Sequence, residues 1–336
     1  MKWLVKYGLL RRSVSIPLYF LLTGLLLLAA PLWLPASWIV GRVFSSARSA
    51  QRCLCFIATY LICESIGILL SGYLWLRYAA FGMPLDSYLK ANSALQFWWA
   101  ETLRGSAQKL FRLRFDVEGE SALDGPGAIV LPRHTSVGDT VFPVSFYALA
   151  RGLNVRYVLK RELLLDPCLD IVGNRLPNSF VDRVAEDMAP ELASIRRLAA
   201  SATDQDCLVL YMEGTRFTPE KREHVLSSLR ERPDKGLLER AETWTSVLPP
   251  RVAGALEMMD AAPNKDLLFC AHTGFEGSVN FATLFNGGWL DTTVRIRFWR
   301  VPAANIPNDD AARRELLLSQ WDKMQAVLTE LKHLDS

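Results

Sequence analysis

The chain has 336 residues, half of them hydrophobic, with 38 Lys and Arg against 35 Asp and Glu. That length and apolar content suffice for one sizeable α/β core with apolar sequence left over, and the near balance of charge gives no case for nucleic acid as a partner. Six scattered cysteines (Cys53, Cys55, Cys63, Cys168, Cys207, Cys270) and four dispersed histidines form neither a disulfide framework nor a metal-ligand pattern, so buried thiols, a reducing compartment and no structural metal are expected.

The apolar surplus lies at the N-terminus. Residues 14 to 41 carry no charge, and a spanning helix needs only ~20 residues. Pro31 and Pro35 are expected to kink or end this run. A second apolar segment, residues 53 to 76, is interrupted only by Glu64, which reads as a hydrogen-bonding group against the partner helix. Lys2, Lys6, Arg11 and Arg12 precede the hairpin and Arg77, Lys90 and Arg104 follow it, which places both ends on the cytosolic side. Arg42, Arg48 and Arg52 in the connection keep a pair of helices lying in the interface open as the alternative. The run is too long for a signal peptide, so retained helices are expected. Residues 78 to 111, with Phe97, Trp98 and Trp99, read equally as an amphipathic segment at the lipid headgroups or as a helix packed on the next domain.

Residues 1–111 are therefore taken as a membrane-embedded helical region and residues 112–336 as a catalytic domain. From Leu113 the pattern alternates: Leu113, Phe115 and Val117 face one way, Arg114, Asp116 and Glu118 the other, as in a half-exposed strand. Asp124 to Gly127 is a turn into a buried strand, Ala128 to Leu131, which stops at Pro132. After it comes Arg133-His134-Thr135-Ser136-Val137-Gly138-Asp139. This block sets an imidazole and a carboxylate five positions apart at a strand exit. Asp139 is expected near the N-cap of a helix running to Ala150, with Gly138 letting the turn close and the carboxylate accepting the imidazole N–H that faces away from substrate. His134 is then a general base.

Further strands are expected at residues 155 to 159, 207 to 211, 267 to 272 and 294 to 299, with helices at 186 to 202 and 311 to 331. The alternation predicts an α/β fold with a mixed, mostly parallel sheet flanked by helices. Glu213-Gly214-Thr215-Arg216 follows the strand Cys207 to Tyr211, at the end of an open sheet where ligands bind. The charged run after residue 221, with Lys221, Arg222 and Arg232, reads as a solvated helical face. His272, at a strand end, is the one rival histidine and reads as a core or hydrogen-bonding residue.

A His-x-x-x-x-Asp block followed by Glu-Gly-Thr-Arg resembles the glycerolipid acyltransferase family across roughly residues 110 to 300. Gly173 with Phe180-Val181-Asp182-Arg183 resembles its third block, and Val247-Leu248-Pro249-Pro250-Arg251 its fourth, a strand ending in proline. The resemblance implies acyl transfer from a thioester, acyl-CoA or acyl carrier protein, to the hydroxyl of lysophosphatidate at a membrane, with no cofactor. His134 and Asp139 would be catalytic. Arg183 and Arg216 would hold the acceptor phosphate, with Gly214 and Thr215 lining the approach. Glu213 would orient Arg216 or its loop, and Lys160 and Arg161 are weaker phosphate candidates. Where the family commonly has Asn before the histidine this chain has Arg133, and Tyr211-Met212 stands in place of Phe-Pro. Another lysophospholipid acceptor, a transacylase and a non-catalytic lipid-binding protein are the competing readings. The chain holds no Gly-x-Ser-x-Gly elbow, which argues against a serine hydrolase.

Overall fold

Three short apolar runs have no polar face, and they become the middle of the sheet. In a computed structural model describing residues 7–43, 47–231, 235–276, 281–285 and 287–334, strands β2 (Ile129–Pro132), β5 (Asp206–Val209) and β6 (Leu267–His272) are buried at every position. Burial of this kind requires cover on both faces of the sheet. Alternate residues serve opposite faces: Ile129, Leu131, Leu208 and Phe269 join one apolar cluster, while Val130, Val209, Leu268 and Cys270 join the other. Each fully buried aliphatic or aromatic side chain contributes about 1.5–3 kcal/mol.

With β1 (Arg114–Glu118), β3 (Asn154–Lys160), β4 (Ser179–Val181) and β7 (Thr293–Val301), the sheet has seven strands in the order β1-β7-β6-β2-β5-β3-β4. Every pairing is parallel except β6 with β7. The expected mixed, mostly parallel α/β sheet is therefore present. Cross-strand ion pairs tie the charged edge down, Arg295 to Asp116 at 2.8 Å and Arg297 to Glu118 at 2.6 Å. The connection leaving β2 leads to β3 on one side of it, and the connection leaving β5 leads to β6 on the other. The loops after β2 and β5, which are adjacent strands, thus open side by side at the point where the winding reverses.

The N-terminal region is four helices, α1 (Gly8–Leu28), α2 (Ala30–Val43), α3 (Ala47–Phe81) and α4 (Leu85–Phe111). The chain breaks at Ala29, which puts Pro31 in the first turn of α2, where proline is tolerated; Pro35 lies inside α2 without ending it. Two helices, α1 and the Arg48–Phe81 part of α3, are long and apolar enough to cross a membrane by length and composition. Their outer faces carry exposed Leu9, Leu21, Leu28, Leu69, Trp75 and Phe81.

Their inner faces are fastened to the sheet domain. The buried Arg11 reaches Asp170 at 2.6 Å and Arg12 reaches it at 2.9 Å. Breaking such a buried pair typically costs about 3–5 kcal/mol. Phe56 of α3 packs edge-on against Phe111 and Trp289. Glu64, fully buried, accepts from Trp99 Nε1 of α4 at 2.6 Å and from the Cys168 amide at 3.2 Å.

The segment before the sheet is thus a helix packed inward: Ala100, Leu103, Ala107 and Phe111 are buried, and Trp99 points at Glu64 rather than at lipid headgroups. Arg112 closes α4 in the left-handed region, at φ 55°, and the chain then enters β1. Lys2, Lys6 and Arg232 lie outside the described residues. The six cysteines are all free thiols.

Candidate active site

The loop after β2 is organised by one carboxylate. Asp139 Oδ1 lies 2.8 Å from His134 Nδ1, and Oδ2 accepts the amides of Thr135 at 2.6 Å and Ser136 at 2.9 Å. Asp139 therefore clamps the turn upstream of it and does not cap the helix that follows. That helix is not regular either. It runs as a 3-10 turn over Gly138–Val141, a π-type stretch over Pro143–Ala148 and a last α turn, Leu149–Arg151. Pro143 has no N–H to give to the carbonyl of Asp139, so a regular α-helix cannot start there. Gly138 is required by packing, since a Cβ there would stand 2.9 Å from Trp289 and 3.1 Å from Phe275.

Burial alone would raise the Asp139 carboxyl. The His134 and His272 imidazoles beside it, with the hydrogen bonds it accepts, hold it well below the usual range, so it is a carboxylate. Nδ1 of His134 is engaged by it, and the ring lines the cavity described below, which leaves Nε2 as the nitrogen for chemistry. The Tyr211 ring lies 4.6 Å from the imidazole, and the Tyr211 hydroxyl donates to the Asp139 carbonyl at 3.2 Å.

The loop after β5 is stitched to the first. Glu213 Oε1 accepts the His134 amide at 2.7 Å, Oε2 accepts the Leu248 amide at 2.9 Å, and the Phe217 amide donates back to the His134 carbonyl at 2.8 Å. Of the two expected roles, orienting Arg216 or orienting the loop, these contacts show Glu213 in the second: it holds the backbone that carries His134. Burial pushes its carboxyl up to about 7, against the two amides and the nearby Arg133 and His134. Gly214 sits at φ 69° with the Arg251 side chain stacked on it, where a Cβ would meet Arg251 at 3.2 Å.

Around this loop the cations converge. Arg183 donates to the Gly214 carbonyl. Arg251 donates to the Arg183 carbonyl at 3.3 Å, and Lys221 Nζ donates to Thr215 Oγ1 and the Arg216 carbonyl, each at 3.0 Å. Burial and then Arg251 lower the Arg183 guanidinium; burial, Arg216 and Lys160 lower the Lys221 ammonium. Cations crowded enough to lower Arg183 and Lys221 form a site an anion would relieve.

The structure therefore brings His134, Asp139, Arg183, Glu213, Gly214, Thr215 and Arg216 together at one end of the sheet. Lys160 also lines the cavity, paired with Glu162 at 3.2 Å. Arg161 does not join them: it turns to Glu191 at 2.6 Å. Asp182, beside Arg183 in the sequence, accepts the Val184 amide at 3.1 Å. Residues 247 to 251 are not a strand; they are an extended bridge held by Glu213 and by the Met212 carbonyl, which accepts from Arg251 N at 2.8 Å.

Sequence reasoning passed over three residues. Arg251 stood in a quoted block without a role. Lys221 stood in a charged run that nothing local separates from a solvated face. His272 was read as a core or hydrogen-bonding histidine, and it is fully buried; what that reading could not name is the partner, Asp139 Oδ2 at 3.5 Å from Nε2, a contact that only strand pairing creates.

From His134 and the cations a cavity of about 760 Å³ leads between α3, α4 and the sheet, with Arg183, Arg216 and Arg251 at one end and Gly67, Leu95, Trp99 and Leu103 along an apolar arm. Among the described residues no group of three His, Cys, Asp or Glu could hold a metal ion.

A family model described as Acyltransferase matches residues 114–265. A solved structure, the 1-acyl-sn-glycerophosphate (LPA) acyltransferase PlsC from Thermotoga maritima, is similar at 14% sequence identity and a TM-score of 0.42, covering 80% of this chain and 98% of that one. No curated protein matches.

Proposed function

Residues 114–265 match the family model described as Acyltransferase, and from that likeness we propose that the chain is a glycerolipid acyltransferase, moving a fatty acyl group from a thioester, acyl-CoA or acyl carrier protein, to the free hydroxyl of lysophosphatidate. The observation that carries this reading is the meeting of three features in one cavity: the His134–Asp139 pair, the cluster of Arg183, Arg216 and Arg251, and an apolar arm.

In the proposed step the acceptor's phosphate rests on the guanidinium groups, whose planar forks suit paired oxygens. Its hydroxyl oxygen attacks the thioester carbonyl while His134 Nε2 removes the proton, and Asp139 stabilises the imidazolium. The tetrahedral intermediate collapses with cleavage of the C–S bond. The leaving thiolate then recovers the proton from His134, which returns the imidazole to its starting state. No cofactor is asked for beyond the thioester. The acyl chain lies in the apolar arm.

The helices α1 to α3 put an apolar outer face into the bilayer. Because α3 packs on the sheet domain from Cys53 through Glu64, a helix pair embedded in the cytosolic leaflet accounts for both its faces better than a pair that crosses. The test is acyl transfer by purified enzyme with oleoyl-CoA and lysophosphatidate. Formation of phosphatidate that disappears in His134→Ala supports the proposal; turnover by that variant at the wild-type rate overturns it.

A further inference from the structure

We infer that His272 is a positioning residue for this reaction, holding the Asp139 carboxylate from the side opposite His134 and tuning how firmly His134 keeps the proton it collects. The inference rests on the reading of His134 as the base.

His272 is the last residue of β6, the strand paired with β2, and no part of it is exposed. Its ring stands edge-on to Phe142, with centroids 5.1 Å apart. Nε2 faces two acceptors, the Arg133 carbonyl at 3.2 Å and Asp139 Oδ2 at 3.5 Å. A nitrogen between two acceptors carries the proton, which fixes the tautomer. Nδ1 then has no hydrogen-bond partner among the described residues. Leaving a buried polar atom so costs about 1–3 kcal/mol, more than a purely packing side chain would need to bear.

The setting of the ring is built by Arg133. Its buried guanidinium donates to the Ser246 carbonyl, to the His272 carbonyl at 2.5 Å and to Glu276 at 2.6 Å, and Glu276 in turn accepts the Gly274 amide at 2.8 Å. The residue that departs from the family's Asn thus anchors the chain at His272 and just beyond it. Two imidazoles then share one carboxylate, His134 on Oδ1 and His272 on Oδ2.

A donor on Oδ2 draws charge away from Oδ1. It weakens the pull of Asp139 on the imidazolium and so eases return of the proton to the leaving thiolate. The charged and titratable groups facing this cluster are Arg133 and Glu276 as an ion pair, Glu213 on the His134 backbone, Tyr211 against the His134 ring, Cys270 on β6, and Lys332, which bonds Ser246 at 2.7 Å. All of them stay unchanged in the test.

The test compares kcat and KM across pH for the full-length enzyme with oleoyl-CoA and lysophosphatidate, in the wild type and in His272→Leu, His272→Gln and His134→Ala. His272→Leu removes the donor; it is expected to lower kcat about tenfold with KM held and to move the acid limb of the profile upward by about half a pH unit. His272→Gln places an amide N–H near the Nε2 position and is expected to restore both. If His272→Leu fails to fold, His272→Asn withdraws the donor from Oδ2 and reads the same limb. A folded donor-less variant with wild-type kcat and limb overturns the inference. So does an equal slowing of the Leu and Gln variants with unmoved limbs, which marks a packing role. In either case an inactive His134→Ala leaves the reading of the base standing, whereas an active one overturns that reading itself.

Discussion

The two ends of the cavity use their polar groups in opposite ways. In the apolar arm the polar groups bond one another: Tyr60 donates to Asp166 at 2.6 Å, Trp99 to Glu64 at 2.6 Å, and the Cys168 amide to Glu64 at 3.2 Å. With those groups satisfied, the arm offers a guest mostly carbon. At the other end the bonds run mainly to the backbone of the two loops. Glu213 takes two amides, Asp139 takes two amides and one imidazole nitrogen, and Arg183 takes a carbonyl. That arrangement spends the carboxylates on holding loops and leaves an imidazole edge and several guanidinium groups facing the cavity. In the proposed reaction, recognition of a chain and chemistry on a headgroup are thereby separated along one channel.

The sharpest way to break this division is at the imidazole. His134→Ala is expected to fold and to lose about 10²–10⁴-fold in kcat. Asp139→Asn is expected to lose a comparable factor, because an amide cannot accept both the imidazole and the Thr135 and Ser136 amides in the same way. Steady-state turnover with thermal unfolding as control checks both. A smaller effect is expected at the cations. Arg183→Ala and Arg216→Ala each remove a charge-assisted contact worth about 1.5–3 kcal/mol, which raises KM for a phosphate-bearing acceptor about 10- to 100-fold. An acceptor without phosphate should show little further loss, and equal losses with both acceptors would remove the cations from headgroup recognition.

These residues were unequally legible in the sequence. The His134–Asp139 pair lies within one loop, so local spacing carries it, and the buried strands declared themselves by uninterrupted apolar runs. Long-range pairing writes no such signal. His272 meets Asp139 only because β6 lies beside β2, and Lys221 meets Thr215 and Arg216 only because the helix after the loop folds back on it. The irregular helix after Asp139 was half legible: its apolar periodicity is helical and Pro143 marks the first turn as imperfect, but the 3-10 and π-type bonds that replace the regular ones carry no local signal. In α4 the Trp and Phe residues fit a membrane surface and a protein interior equally by composition, and only Trp99 on Glu64 separates the two.

The arm can be sharpened in its turn. Gly67 of α3 lines it, and a Cβ there would stand 2.6 Å from Cys168 Sγ. Gly67→Val should narrow the arm while leaving the other end untouched. The expected result is a loss of about tenfold in kcat/KM for long-chain donors relative to short ones, the size of effect that one or two misfitting methylenes produce in an apolar pocket. Unchanged chain preference would take the acyl group out of this arm.

The gentlest probe is pH, and it separates the carboxylates that hold the loops. Glu276 is held down at about 2 by Arg133, although burial opposes this. An acid lowered from its ordinary value of 4.5 contributes stability that is present above that value and is lost as pH falls toward 2. Glu213 is the reverse case. Burial raises it to about 7, so the folded state binds more protons than the unfolded one between 4.5 and 7, and its contribution, complete below 4.5, is lost as pH rises through 7. Glu276→Gln should therefore flatten the acid limb of a stability profile and Glu213→Gln the limb near neutrality, each read as a denaturation midpoint against pH. Because a carboxylate accepts the His134 and Leu248 amides more strongly than the acid does, ionisation of Glu213 near 7 should also firm the loop that presents His134. Wild-type turnover is then expected to hold above neutrality where Glu213→Gln, with one carbonyl oxygen for two amides, loses several-fold in kcat, and a Gln variant with wild-type turnover there would confine Glu213 to stability alone.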